Sequence, residues 1–203
     1  MQEISESKPH STTTMDKHVT NICRSAYAEL RRISSILHLL TVYATKTLLS
    51  AFVLSKLDYC NSLLCGSPQF ILDKLQTVQN SAARLVMKSN KCEHVQPLLH
   101  NLHWLPVHSR IDYKISTLCF NTFTYSSPVY IAQLLSVYTP SRHLRSSSDT
   151  RTLRIPFIKT KSFGQRAFSF TGNGIDYFMD SGTLNLLLHL KQHLKPHLFR
   201  SMY

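Results

Sequence analysis

The stretch SPQFILDKLQTVQNSAARLV, Ser67 to Val86, decides the fold. Ser67-Pro68 reads as a helix start, a serine N-cap followed by proline at the first helical position, where its missing N–H costs nothing. Beyond it, Ile71, Leu72, Leu75, Val78, Ala82, Leu85 and Val86 recur at three- and four-residue steps, which places them on one stripe of a helix. Ala82-Ala83 takes bulk out of that stripe, so a neighbouring helix can come close.

The same period runs upstream. From Met15, the residues Val19, Ile22, Cys23, Ala26, Leu30, Ile33 and Leu37 mark one helical face, with Lys17, Arg24, Arg31 and Arg32 on much of the remainder. A second helix is expected from about Tyr43 to Leu64, carrying Leu48, Leu49, Phe52, Val53 and Leu57. Downstream, a shorter helix near Val95 to Leu102 leads to Trp104-Leu105-Pro106. A single tryptophan beside a proline reads as a packing corner that anchors a core. Pro106 can open a further helix with Ile111, Ile115, Leu118 and Cys119 facing inward, and Pro128 to Val137 reads as a short one. Met1 to Thr14 is polar and aperiodic, and reads as a disordered tail.

The character changes after Tyr138. From there to Arg166 the chain holds seven basic residues against one acid, Asp149, amid dense serines and threonines, and the helical period is lost. Thr150 to Lys161 can form short strands, limited by Pro156 to an edge. Gly172, Gly174 and Gly182 punctuate a loop before a final helix expected from about Thr183 to Arg200. No internal repeat occurs. The expected class is therefore mainly α, in three parts: a tail over 1–14, a helical domain over 15–137, and a basic mixed region with short strands and a C-terminal helix over 138–203.

Composition narrows the partners. The 203 residues include 23 Lys and Arg against 11 Asp and Glu, a formal net charge of +12. That excess favours phosphate-bearing partners, nucleic acid first. No apolar run approaches the roughly 18 residues that span a bilayer, so no membrane partner is expected. The five cysteines are odd in number, form no C-x-x-C, and follow no secretory leader. Reduced thiols and an intracellular location are the expectation, with nucleus and cytoplasm equally open.

Arg142, Arg145, Arg151, Arg154, Lys159, Lys161 and Arg166 form the most credible functional surface. They are interleaved with hydroxyls and with Tyr138 and Phe157, groups that hydrogen-bond phosphate or stack on bases. Arg24, Arg31 and Arg32 of the first helix can extend it. The plainer alternative is a solvated basic face.

Metal chemistry has little support. His189, His193 and His197 stand four apart, but Pro196 kinks the stripe between the last two. Cys92, His94, His100 and His103 match no zinc spacing. No metal or cofactor is expected. Cys60 and Cys65 fall near an inward helical face and read as buried thiols. Catalysis has less support still. No two acidic residues are adjacent, no phosphate-cradling Gly-Lys loop occurs, and no serine sits in a nucleophile elbow. No catalytic residue is assigned.

Taken in order, several distinctive words resemble the C-terminal region of reverse transcriptases encoded by LINE-type (non-LTR) retrotransposons of the CR1, L2 and jockey-like groups. They are HVTNICRSAYAELRRISSI (His18 to Ile36), AFVLSKLDYCNSLL (Ala51 to Leu64), LDKLQTVQNSAARLV (Leu72 to Val86) and LHWLPVHSRIDYKI (Leu102 to Ile115), then YTPSRHLRSS (Tyr138 to Ser147), KSFGQRAFSF (Lys161 to Phe170) and LKPHLF (Leu194 to Phe199). In that family an aromatic-Ala-Asp-Asp polymerase motif precedes the segment seen here, and its two aspartates hold the Mg²⁺ ions of phosphoryl transfer. The resemblance implies thumb-like helices and the region beyond them, without the catalytic aspartates.

The implied function is a catalytically inactive fragment of an RNA-directed DNA polymerase that retains RNA or RNA–DNA duplex binding. One departure stands out: the family's Trp-Asn-Ser-Leu-Pro-like segment is replaced by GNGIDYFMDSGTL (Gly172 to Leu184). Losing a buried tryptophan costs roughly 3–5 kcal/mol unless the site repacks. The alternative readings are a helical protein-interaction or assembly module, self-associating through apolar helix faces, and a non-functional relic of a mobile element.

Overall fold

The first helix, α1, spans His10–Ser35 and begins ahead of Met15, inside the stretch read as a disordered tail. Extending a formed helix adds one hydrogen bond per residue fixed, so polar residues can prolong it past the apolar stripe that stabilises it. The computed structural model describes residues 10–125, 128–135, 154, 156–157 and 167–173. Among these the chain is mainly α-helical and contains no strand. It divides into two compact units, residues 1–108 and 109–203.

In the first unit, α1 packs along α4 (Gln69–Met87), and a segmented helix packs against α1. That segmented helix starts with α2 (Val42–Leu49), which also packs on α4. Thr41 caps α2, its hydroxyl accepting from the Ala44 N–H at 3.2 Å. A π-helical turn, Ser50–Leu54, follows, and then α3, Ser55–Asp58. The helix expected to run on to Leu64 stops at Asp58: Tyr59 is extended, at ψ 118°, and Cys60 then adopts the left-handed conformation at φ 54°. A short 3-10 turn covers Asn61–Leu64.

The π turn also changes the buried face. Phe52, expected inside, is exposed, while Leu54 is buried with Leu49, Val53 and Leu57. A π turn takes one residue more per turn than an α-helix, so the side chains beyond it are rotated relative to an uninterrupted period.

At the start of α4 the proline, not the serine, is the boundary residue. Pro68 is extended, at ψ 144°, and provides no side-chain cap; its carbonyl accepts from Ile71 N–H at 3.0 Å. The buried Ser67 hydroxyl has no hydrogen-bond partner, so it does not cap the helix as expected. The apolar stripe is present: Ile71, Leu72, Leu75, Val78, Ala82, Ala83 and Val86 are all buried. Val19 and Ala26 of α1 are also fully buried, and the two alanines of α4 leave room for a close α1–α4 packing.

α5, Val95–Leu102, packs on α4 and buries Leu98, Leu99 and Leu102. It ends with His103 at φ 54°, His103 N–H donating to His100 O and Trp104 N–H donating to Leu99 O, both at 2.9 Å. This is the Schellman arrangement, which puts Trp104 just beyond the helix end where an apolar side chain can fold back. Trp104 and Leu105 are both buried, as a packing corner requires.

The division between units falls in the first turn of α6, Val107–Tyr125. Ile111, Ile115, Cys119 and Phe120 are buried along it. A short helix, α7, covers Val129–Ala132 after Pro128, and another, α8, covers Phe168–Asn173. The final helix expected over 183–200 lies outside the described residues, as do the strands expected over 150–161, except for Arg154, Pro156 and Phe157, which are neither helix nor strand.

Candidate nucleic-acid interface

α1 carries two acids, Asp16 and Glu29, and four formal cations, Lys17, Arg24, Arg31 and Arg32. Both acids are engaged by lysines from elsewhere in the same unit. Lys74 of α4 reaches Asp16 at 2.6 Å. Lys56 of α3 reaches Glu29 at 3.1 Å and also donates to the Ser25 hydroxyl at 2.8 Å. Arg32 adds a second bond to Glu29 at 3.1 Å, one turn along the helix. The Lys56 hydrogen bond, with smaller help from Arg32, holds the Glu29 carboxyl below its ordinary range.

Lys17, Arg24 and Arg31 remain, all exposed and without an ion pair among the described residues. They stand seven residues apart, and seven residues fall only about 20° short of two full turns. The three therefore make a nearly straight row with steps of about 10.5 Å along the helix. The two acids of the helix lie off this row, on flanks where Lys56 and Lys74 reach them. Such an array presents cations to a phosphate backbone without reading sequence.

Of the residues singled out by sequence, Arg24, Arg31 and Arg32 are thus gathered on one exposed side of α1, with Arg32 partly committed to Glu29. Lys17 joins them by position, the seven-residue step being the signal that reveals it. Arg154 and Phe157 are exposed. Arg142, Arg145, Arg151, Lys159, Lys161 and Arg166 lie outside the described residues, as do Tyr138 and the three histidines His189, His193 and His197.

Arg84 serves a structural purpose instead. Its Nη2 donates to the Glu93 carbonyl at 3.3 Å, tying the end of α4 to the loop before α5.

Among the described residues, no three His, Cys, Asp or Glu side chains are grouped to hold a metal ion. Cys92, His94, His100 and His103 are all exposed. Cys60 is exposed and Cys65 half-buried, a correction to the reading of both as buried thiols; the left-handed turn at Cys60 takes it off the helical face. Cys119 is the buried thiol, and burial pushes its pKa up to about 12. Half-burial raises Cys23 as well, against a smaller opposing effect from Lys74. No described helix is long and apolar enough to cross a membrane.

Sequence reasoning missed the most buried polar group of the first unit. Gln79 is fully buried and donates from Nε2 to the Leu105 carbonyl at 2.8 Å. Gln76 donates from Nε2 to Gln79 Oε1 at 3.1 Å and to Asn80 Oδ1 at 2.8 Å, and its own Oε1 accepts from Val107 N–H at 2.9 Å. The two amides thus clamp both sides of Pro106. The clue was available: Gln79 sits four residues after Leu75 and three before Ala82, on the apolar stripe.

No family model matches the chain, and neither a curated protein nor a solved structure matches it.

Proposed function

We propose that this chain is a catalytically inactive fragment of a non-LTR retrotransposon reverse transcriptase that retains backbone binding to RNA or an RNA–DNA duplex. The observation that carries the binding is the row Lys17, Arg24 and Arg31, exposed and in no ion pair with any described residue. The ordered sequence words support the parentage, and the absence of any adjacent acidic pair supports the lack of polymerase chemistry. Two-metal phosphoryl transfer needs carboxylates that share a site, and isolated ones do not supply it.

The test is fluorescence anisotropy with a labelled RNA–DNA hybrid across a salt series, with duplex DNA as competitor. Affinity should fall steeply with salt, and the hybrid should be preferred. Replacing Lys17, Arg24 and Arg31 together by glutamine should flatten the log–log salt slope by about 2.7 if each meets one phosphate. An unchanged slope refutes the role of this row. Primer extension by the pure protein, given template, primer, nucleotides and Mg²⁺, refutes the inactive assignment.

A further inference from the structure

The turn between α1 and α2 places large apolar side chains in water. The 3-10 turn Leu37–Leu39 contains no buried residue. Leu39 is 74% exposed and Tyr43 79% exposed, with Ile36 and Val42 exposed beside them. These four lie within eight consecutive residues, on a connection that Thr41 caps at the start of α2, and a contiguous exposed apolar patch can mark an interaction site.

Along the chain the charge flanking the turn is one-sided, with Arg32 already paired to Glu29 at 3.1 Å. No acid occurs between Glu29 and Asp58, whereas Arg31, Arg32 and Lys46 are all in that interval. Arg31 and Arg32 precede the apolar turn directly, His38 is exposed within it, and half-buried Lys46 stands one helical turn after Tyr43. We propose that this turn is a docking site for an acidic amphipathic helix of a partner protein, whose apolar stripe covers Ile36, Leu39, Val42 and Tyr43 while its carboxylates meet the flanking cations. The apolar residues of this site are separate from the proposed nucleic-acid row, with Arg31 common to both.

Other occupants fit less well. Three of the four side chains are aliphatic and offer no ring for base stacking, so nucleic acid leaves them uncovered. A second copy docking through the same patch would bring Arg31, Arg32 and Lys46 against themselves, since a two-fold interface pairs a surface with itself. A bilayer favours a long apolar helical face, and this cluster covers only a turn and the start of α2. An amphipathic helix binds through a few apolar anchors along one stripe, on the scale of this patch.

The experiment uses the full chain and three synthetic amphipathic helical peptides: leucine stripe with glutamates, leucine stripe with lysines, and the glutamate peptide with its leucines replaced by serine. The acidic leucine peptide should bind about tenfold or more tighter than either control. Leu39→Ser with Tyr43→Ser should remove that preference without moving the thermal melt, because both side chains are already in water. Lys46→Glu, an independent variant, should shift preference toward the basic peptide.

Equal binding of the acidic and basic leucine peptides overturns the charge argument, and equal binding of the two acidic peptides overturns the apolar one. Salt-independent self-association blocked by the double variant would assign the patch to a second copy. Stronger binding to phosphatidylserine vesicles than to any peptide would assign it to a membrane surface. Displacement of the acidic leucine peptide by RNA–DNA hybrid from the double variant's positions, with the hybrid itself losing affinity in that variant, would assign it to nucleic acid.

Discussion

Replacing Gln79 by leucine should destabilise the first unit although it exchanges a buried amide for an apolar side chain of similar size. Gln79 is fully buried and holds the Leu105 carbonyl at 2.8 Å. When both partners of a buried hydrogen bond can be made apolar, the exchange is often neutral; here one partner is backbone and stays polar. Leu105 is buried, so its carbonyl would lose its donor with little access to water. The unsatisfied acceptor should cost about 1–3 kcal/mol, offset in part by the apolar side chain gained. Gln76 would keep its bond to Asn80 at 2.8 Å, so the loss is expected to come from the Leu105 side alone.

Gln79→Glu should be worse than Gln79→Leu. It removes the same donor and sets a buried carboxylate against a carbonyl oxygen. Urea unfolding of the three proteins, followed by circular dichroism, measures the order: wild type, then leucine, then glutamate, with the slope of free energy against urea unchanged. A leucine variant as stable as the wild type would refute the reasoning, because the amide would then be tolerated in the core instead of holding the Pro106 corner.

Two further outcomes follow from local geometry. Lys88 ends α4 at φ 52°, a conformation that disfavours a Cβ, so Lys88→Gly should raise stability by about 0.5–1 kcal/mol in the same assay; no gain would mean that the lysine side chain compensates for the backbone penalty. Among the cysteines, Cys60 and Cys92 are exposed while burial pushes Cys119 up to about 12. The thiolate is the reactive form, so alkylation at pH 8 followed by mass spectrometry should modify Cys60 and Cys92 within the folded state and Cys119 only once urea unfolds the chain; early labelling of Cys119 would refute its burial.

What the sequence disclosed and what it concealed divide along physical lines. Where polar and apolar residues alternate at helical spacing, as from Ile71 to Val86, most of the buried face could be read directly, although Leu85 is only half-buried and the buried Gln79 was missed. From Leu48 to Leu54 the residues are apolar almost without interruption, so no period distinguishes Phe52 from Leu54, and the π turn that separates them has no residue signature. The stop at Cys60 was hidden for a related reason. A left-handed residue is usually announced by glycine or asparagine, and here neither cysteine at 60, lysine at 88 nor histidine at 103 gives that notice. Ser67-Pro68 misled in the opposite direction, since two residues with strong helix-start preferences produced an extended proline and an unpartnered hydroxyl.

The candidate interface was half legible, and the reason lies in pairing rather than in charge. Sequence can count the cations of α1 but cannot say which are already spent. Lys56 and Lys74 are separated from Glu29 and Asp16 by 27 and 58 residues, and only the packing of α3 and α4 on α1 brings them together. Those two contacts occupy both acids of α1, and among the described residues its cations without an ion pair are Lys17, Arg24 and Arg31. Exposed ion pairs of this kind add little to stability, about 0–1 kcal/mol each. Their larger effect is on the charge the helix carries: with Lys56 removed, Glu29 keeps only its contact with Arg32, on a flank of the helix about 140° round from Arg24.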